Sequence, residues 1–117
     1  MKASDYCIIS TTTDTKENAE LITQTLLKKK LVACVQSSTI KSSYRWQGKI
    51  ILADEIQLQM KTKTSLFDLI KKEIEALHTY ETPEIVMVDL LNANDFYLKW
   101  IEKETLLENN NTTKNQL

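Results

Sequence analysis

Glycine is nearly absent from this chain: Gly48 is the only one in 117 residues. A glycine-rich phosphate cradle, of the Rossmann or the P-loop kind, is therefore excluded. Proline and histidine are equally scarce, with one Pro83 and one His78. No Ser-His-Asp arrangement, H-E-x-x-H or nucleophile elbow is present, and nothing in the sequence identifies a reaction. Cys7 and Cys34 stand far apart without C-x-x-C spacing, so a disulfide framework is not expected and a cytoplasmic protein with free thiols is. There is no run of about 18 apolar residues to span a membrane. The opening "MKASDYCIIS" has no apolar h-region, and Asp5 interrupts it early, so no signal peptide is expected. Neither sign of charge dominates: 15 basic against 16 acidic residues leave a net charge of −1. That balance argues against nucleic acid or a membrane surface as partner.

What is present is ordinary for a soluble globular protein: 42% hydrophobic and 26% charged residues. The length favours one domain with a real core, over residues 1–107, followed by a polar tail at 108–117 expected to be disordered. "YCIISTTT" (6–13) is β-branched and apolar and reads as a buried strand. Asp14 with Glu17 has the spacing of a capping box. The helix after it turns Ala19, Ile22 and Leu26 to one face, widened by Leu27, and ends at the basic run Lys28 to Lys30, where cations suit the dipole.

Residues 31–46 then run extended without glycine or proline to Gln47-Gly48, the one available turn. Residues 49–62 return with Ile56, Leu58 and Met60 alternating against Gln57, Gln59 and Lys61. Sixteen extended residues span roughly 50 Å, whereas a compact domain of this size is about 35 Å across. The hairpin must project unless it bends, and a projecting strand exposes unpaired backbone groups. Pairing with further copies of the chain is the expected remedy.

Ser65 with Asp68 opens a second helix with a Leu66, Leu69, Ile70, Ile74, Leu77 stripe. Pro83 biases Thr82 away from helix and so places the helix end before it. "EIVMVDLL" (84–91) reads as a buried strand. Asn94 or Asp95 caps a last helix expected to turn Phe96, Tyr97, Trp100 and Ile101 inward. The order βαβ-βαβ-α predicts an α+β fold. It is a ferredoxin-like split βαβ sandwich with a long β2-β3 hairpin, its second strand at a sheet edge, and an extra C-terminal helix.

Two stretches carry candidate chemistry. "HTYETPE" (78–84) holds the lone histidine, Tyr80 and the carboxylates Glu81 and Glu84. His78 is a candidate metal ligand or base, against the bland reading of a hydrogen-bonded residue at a helix C-terminus. Glu81 and Glu84 could act as acid and base or hold a hard cation, against exposed loop carboxylates. Cys34 with His78 would suit copper or zinc, yet two ligands fall short of a structural zinc site unless oligomerisation multiplies them. "YRWQGK" gathers Tyr44, Trp46 and Lys49 at the hairpin tip, as a pocket for a small ligand or as a cap on a neighbouring subunit.

Taken in order, "LVACVQ", "YRWQGK", Glu55 before "IQLQMKT", "HTYETPE" and "YLKWI" resemble the CutA divalent-ion-tolerance family over residues from about 6 to 104. The resemblance implies a ferredoxin-like homotrimer with strands paired between subunits, an architecture shared with PII signalling proteins. It implies a link to tolerance of copper and other divalent cations, copper binding in some members, no required cofactor and no catalysed reaction. The family's recurrent residues fall on Tyr44, Trp46, Lys49, Glu55, Lys61, His78, Tyr80, Glu81, Pro83 and Glu84, and the resemblance places them near a cleft between subunits. The chain departs from the pattern at Thr79, where the family usually has proline, and at Gln36, where it has asparagine. "SSTIKSS" replaces a longer Pro-Gly segment in the second strand, and a missing bulge residue there would alter bend and side-chain parity. Ser10 stands where some members carry a copper-binding cysteine, which leaves Cys34 and His78 as the candidate metal ligands. A small-ligand sensor of the PII kind and a trimeric scaffold are the competing readings.

Overall fold

The computed structural model describes residues 2–106, so the polar tail expected at 108–117 lies outside the described residues. β1 (Tyr6–Thr13), β2 (Cys34–Trp46), β3 (Lys49–Lys63) and β4 (Ile85–Asp89) form one antiparallel sheet in the order β2-β3-β1-β4. With α1 (Lys16–Lys28), α2 (Phe67–Leu77) and α3 (Asp95–Glu104), this is the ferredoxin-like arrangement, and β2 is an edge strand as expected.

Strand alternation divides the sheet into two faces. Cys7, Ile9, Leu58 and Met60 pack against Ile22 and Leu26 of α1 and Ile70 and Ile74 of α2. Burial in that core pushes the Cys7 thiol up to about 11, so it behaves as a small hydrophobe. Tyr6, of opposite parity, packs with Leu98 and Ile101 of α3, which covers one end of the other face. The rest of that face is open, with Val86 and Val88 of β4 substantially exposed. The buried strand expected at 84–91 is therefore a short edge strand, Ile85–Asp89, with Ile85 and Met87 partly buried on one side, because none of the described residues covers its second face. Likewise Phe96 is 83% exposed and Leu98 takes the inward position on α3.

Helix ends also differ in detail. Thr15, not Asp14, caps α1 by accepting the Asn18 N–H at 3.1 Å, while Asp14 accepts a hydrogen bond from Thr79 at 3.0 Å. Thr64–Leu66 forms a 3₁₀ turn, so α2 begins at Phe67 and Ser65 is not its cap. Leu27 and Leu69 sit outside the buried stripes. At the end of α1, the Leu31 N–H donates to Leu26 O and the Lys30 N–H to Leu27 O, with Lys30 at φ 58°. This is a Schellman ending with lysine where glycine is usual. A left-handed lysine costs about 1 kcal/mol. Lys30→Gly should therefore stabilise the fold by up to that amount, read as a rise in denaturation midpoint at constant slope.

The hairpin determines the molecule's shape. Gln47 and Gly48 both have positive φ (50° and 78°), the geometry of a two-residue type I′ turn whose twist matches the strands. The β2-β3 ladder is unbroken from Cys34↔Lys61 to Trp46↔Lys49, so "SSTIKSS" carries no bulge. β1 pairs with β3 only from Ile56 to Lys63. Residues 40–46 and 49–55 therefore form a ribbon beyond the sheet, and the principal-axis extents are 49 × 30 × 24 Å. The Cα radius of gyration is 15.4 Å, against about 13 Å for a compact domain of this size. The ribbon exposes Ile50 (71%) and Leu52 (78%) on one face.

Candidate functional site

The segment 78–84 ends α2 and crosses the end of β1. His78 is the C-cap of α2, its N–H donating to Ile74 O at 2.8 Å. The Tyr80 N–H donates to Nδ1 of the same residue at 3.0 Å, so Nδ1 is unprotonated. Nε2 then bears the proton and donates to Thr12 O at 2.7 Å. With both nitrogens engaged, the imidazole staples the loop to β1. Thr79 adds a second tie through its hydroxyl bond to Asp14.

Tyr80 stacks at a tilt on His78, ring centroids 4.9 Å apart, and its hydroxyl donates to Glu55 Oε2 at 2.6 Å. Burial, and then the bond to Glu55, raise the Tyr80 phenol well above its ordinary value, which keeps it a donor. Glu55 is opposite Ile40 and is the first residue of the hairpin beyond the end of β1. Although it lies on the ribbon, it is only 6% exposed, because the 78–84 segment folds over it.

These elements enclose an open cleft of about 640 Å³. Tyr44 and Trp46 line it from β2, Glu55 from β3, and Tyr80, Glu81 and Glu84 from the loop. Six of the eight cleft residues read from the sequence are thus brought together. Lys49 and Lys61 do not line the cleft: Lys49 opposes Trp46 at the tip, and Lys61 donates to Gln36 Oε1 farther down the hairpin. Hydroxyls not singled out in the sequence complete the wall, among them Thr12, Ser42 and Thr79. Ser42 was findable, since 42, 44 and 46 share a face by strand parity; Thr79 stood out only as a departure from the family pattern, and Thr12 gave no local signal.

Cys34 and His78 do not meet within one chain. Cys34 opposes Lys61, which in turn opposes Ile8, and its Sγ lies 3.8 Å from Tyr97 Oη. His78 reaches Thr12, four residues further along β1, roughly 13 Å of strand away. Among the described residues no group of three or more His, Cys, Asp or Glu is placed to hold a metal ion.

Residues 7–104 match the family described as CutA1 divalent ion tolerance protein. The chain belongs to this family. It is 38% identical over 98 residues to the divalent-cation tolerance protein CutA of Pyrococcus horikoshii, covering 84% of this chain and 96% of that one. It is 29% identical over 99 residues to the chloroplastic CutA of Arabidopsis thaliana, covering 84% of this chain and 54% of that one. Its fold superposes on the solved structure of the periplasmic divalent cation tolerance protein CutA of Archaeoglobus fulgidus with a TM-score of 0.83. That alignment has 36% identity, covering 85% of this chain and 97% of that one. The family and its Pyrococcus and Archaeoglobus members are named for tolerance of divalent cations and not for a reaction. They occupy different compartments by name, so family membership does not decide where this chain resides. No helix among its described residues is long and apolar enough to cross a membrane.

Proposed function

We propose that this chain acts in tolerance of divalent metal ions as a cytoplasmic homotrimer that binds and does not catalyse. The observation that carries the reading is the match to a divalent-cation tolerance family across residues 7–104. The projecting ribbon supports assembly: an edge strand and exposed Ile50 and Leu52 need cover that the described residues of one chain do not supply. In the trimer the cleft at Glu55 and Tyr80 would be shared with a neighbour, which is where Lys49 and Lys61 of another copy can join it. Cells deprived of the protein should grow less well in elevated copper or zinc, and re-expression should restore growth. Equal growth of both strains across the metal range defeats the reading.

Copper or another divalent cation is the proposed metal, with Cys34 and His78 as its soft donors. His78 can bind only by giving up its contact with Thr12 or with the Tyr80 amide. We therefore expect weak binding, reduced several-fold or more in His78→Ala when Cu²⁺ or Zn²⁺ is titrated into each form by calorimetry. Identical isotherms remove His78 from the ligand set. A small-ligand sensor is the second reading, favoured by the cleft's aromatic wall at Tyr44, Trp46 and Tyr80.

A further inference from the structure

We propose that the cleft recognises an organic cation, an ammonium or guanidinium group on an aliphatic stem, held between Glu55, Glu81 and the faces of Tyr44 and Trp46. This deepens the small-ligand reading of the same cleft and does not depend on metal binding.

The lining is one-sided in charge. It contains the carboxylates of Glu55, Glu81 and Glu84 and no lysine, arginine or histidine. Glu55 is the decisive member. It is 6% exposed, its Oε2 is occupied by Tyr80, and among the described residues no hydrogen bond takes up its Oε1 and no cation pairs with it. Thr11 Oγ1 is the one fully buried side-chain polar atom left without a partner among the described residues, so Glu55 Oε1 stays open to solvent and is available to a cation entering the cleft.

The remaining wall decides what kind of cation. A bare metal ion needs several converging ligands, and no such group exists among the described residues. The volume of about 640 Å³ lies in the range of pockets that hold small organic molecules. Tyr44 and Trp46 border the cleft and are 41% and 42% exposed in the single chain, and aromatic quadrupoles attract an alkylated cation. Hydroxyls of Thr12, Ser42 and Thr79 accept from the remaining N–H donors. The cation has two possible sources with the same chemistry: a free amine, or a Lys or Arg side chain of a second copy.

Calorimetric titration with agmatine, which carries both groups and no carboxylate, tests the proposal on the full chain. Butylurea serves as the neutral control. Saturable binding of agmatine but not butylurea, weakened tenfold or more in Glu55→Gln and in Trp46→Leu, establishes a site for a free cation. Glu55→Gln keeps an acceptor for Tyr80, and the exposed Trp46→Leu change leaves the core intact; circular dichroism confirms folding of both. If wild type binds no agmatine but Glu55→Gln weakens self-association in light scattering, the cation comes from a second copy and the recognition stands. Absence of agmatine binding with unchanged association, or equal binding by wild type and Glu55→Gln, overturns it. Neither result depends on the copper growth phenotype, so this proposal and the metal reading fail separately.

Discussion

Replacing Ile50 and Leu52 together by glutamate should leave the protein monomeric at micromolar concentration, where the proposed assembly predicts that wild type scatters light as three chains. Both side chains stand on one face of the ribbon, 71% and 78% exposed in the single chain. Covering an aliphatic side chain of this size contributes about 1.5–3 kcal/mol. Two per chain in three chains give roughly 9–18 kcal/mol of assembly energy, an upper figure because association entropy opposes it. Glutamate removes that contribution and adds the penalty of burying a charge. The helices and the inner sheet take no support from these positions, so the far-ultraviolet circular dichroism should be retained. A variant that remains trimeric would show that the ribbon is not the contact, and a monomeric wild type would remove the edge-pairing argument altogether.

Lys63→Met should destabilise the fold by about 2 kcal/mol, the order expected for lost hydrogen bonds to a charged group. The Lys63 side chain is 4% exposed, and its Nζ donates to Leu106 O at 2.6 Å and pairs with Glu102 Oε2 at 3.1 Å. The other Glu102 oxygen accepts from the Tyr6 hydroxyl at 2.8 Å. This clasp ties the end of α3 to the sheet. Glu102 is itself 46% exposed at the side chain, so water recovers part of its loss. The same clasp predicts a pH dependence. Burial works against the charged form of Glu102, but the bonds from Tyr6 and Lys63 and the lysine's charge outweigh it and hold the carboxyl below its ordinary value of 4.5. A depressed folded value means that its stabilisation is complete above the unfolded value and is lost as pH falls through the folded one. Wild type should therefore lose stability below about pH 4.5, and Glu102→Gln and Lys63→Met should both show a shallower acid limb. Denaturant midpoints at fixed chain concentration from pH 7 to pH 3 measure both effects. Parallel limbs for wild type and Glu102→Gln would refute the assignment.

Local signals were read where a single residue type controls the backbone. The strand at 6–13, the turn at Gln47-Gly48 and the end of α2 before Pro83 lie where the β-branched apolar run, the lone glycine and the lone proline placed them. Errors arose where several residues competed for one role. Asp14 and Thr15 are both good caps, and tertiary contact with Thr79 drew Asp14 away. Ser65 fell in a 3₁₀ turn. Phe96 lies outside because Leu98 and Ile101 already fill the space against Tyr6.

Sequence alone determined the element order, the hairpin's length and hence its projection, and the ordered motifs that mark the family. These follow from local periodicity and from covalent chain length, which no later packing can change. The tertiary structure decided the site. Tyr44, Trp46 and Glu55 face Tyr80, Glu81 and Glu84 only because the antiparallel register ends β1 opposite Ile56 and lets the 78–84 segment fold over the ribbon's base. It also separated Cys34 from His78 and turned both histidine nitrogens onto backbone groups. Convergence across distant segments is a property of register and crossover, and neither is encoded in the spacing of any one motif.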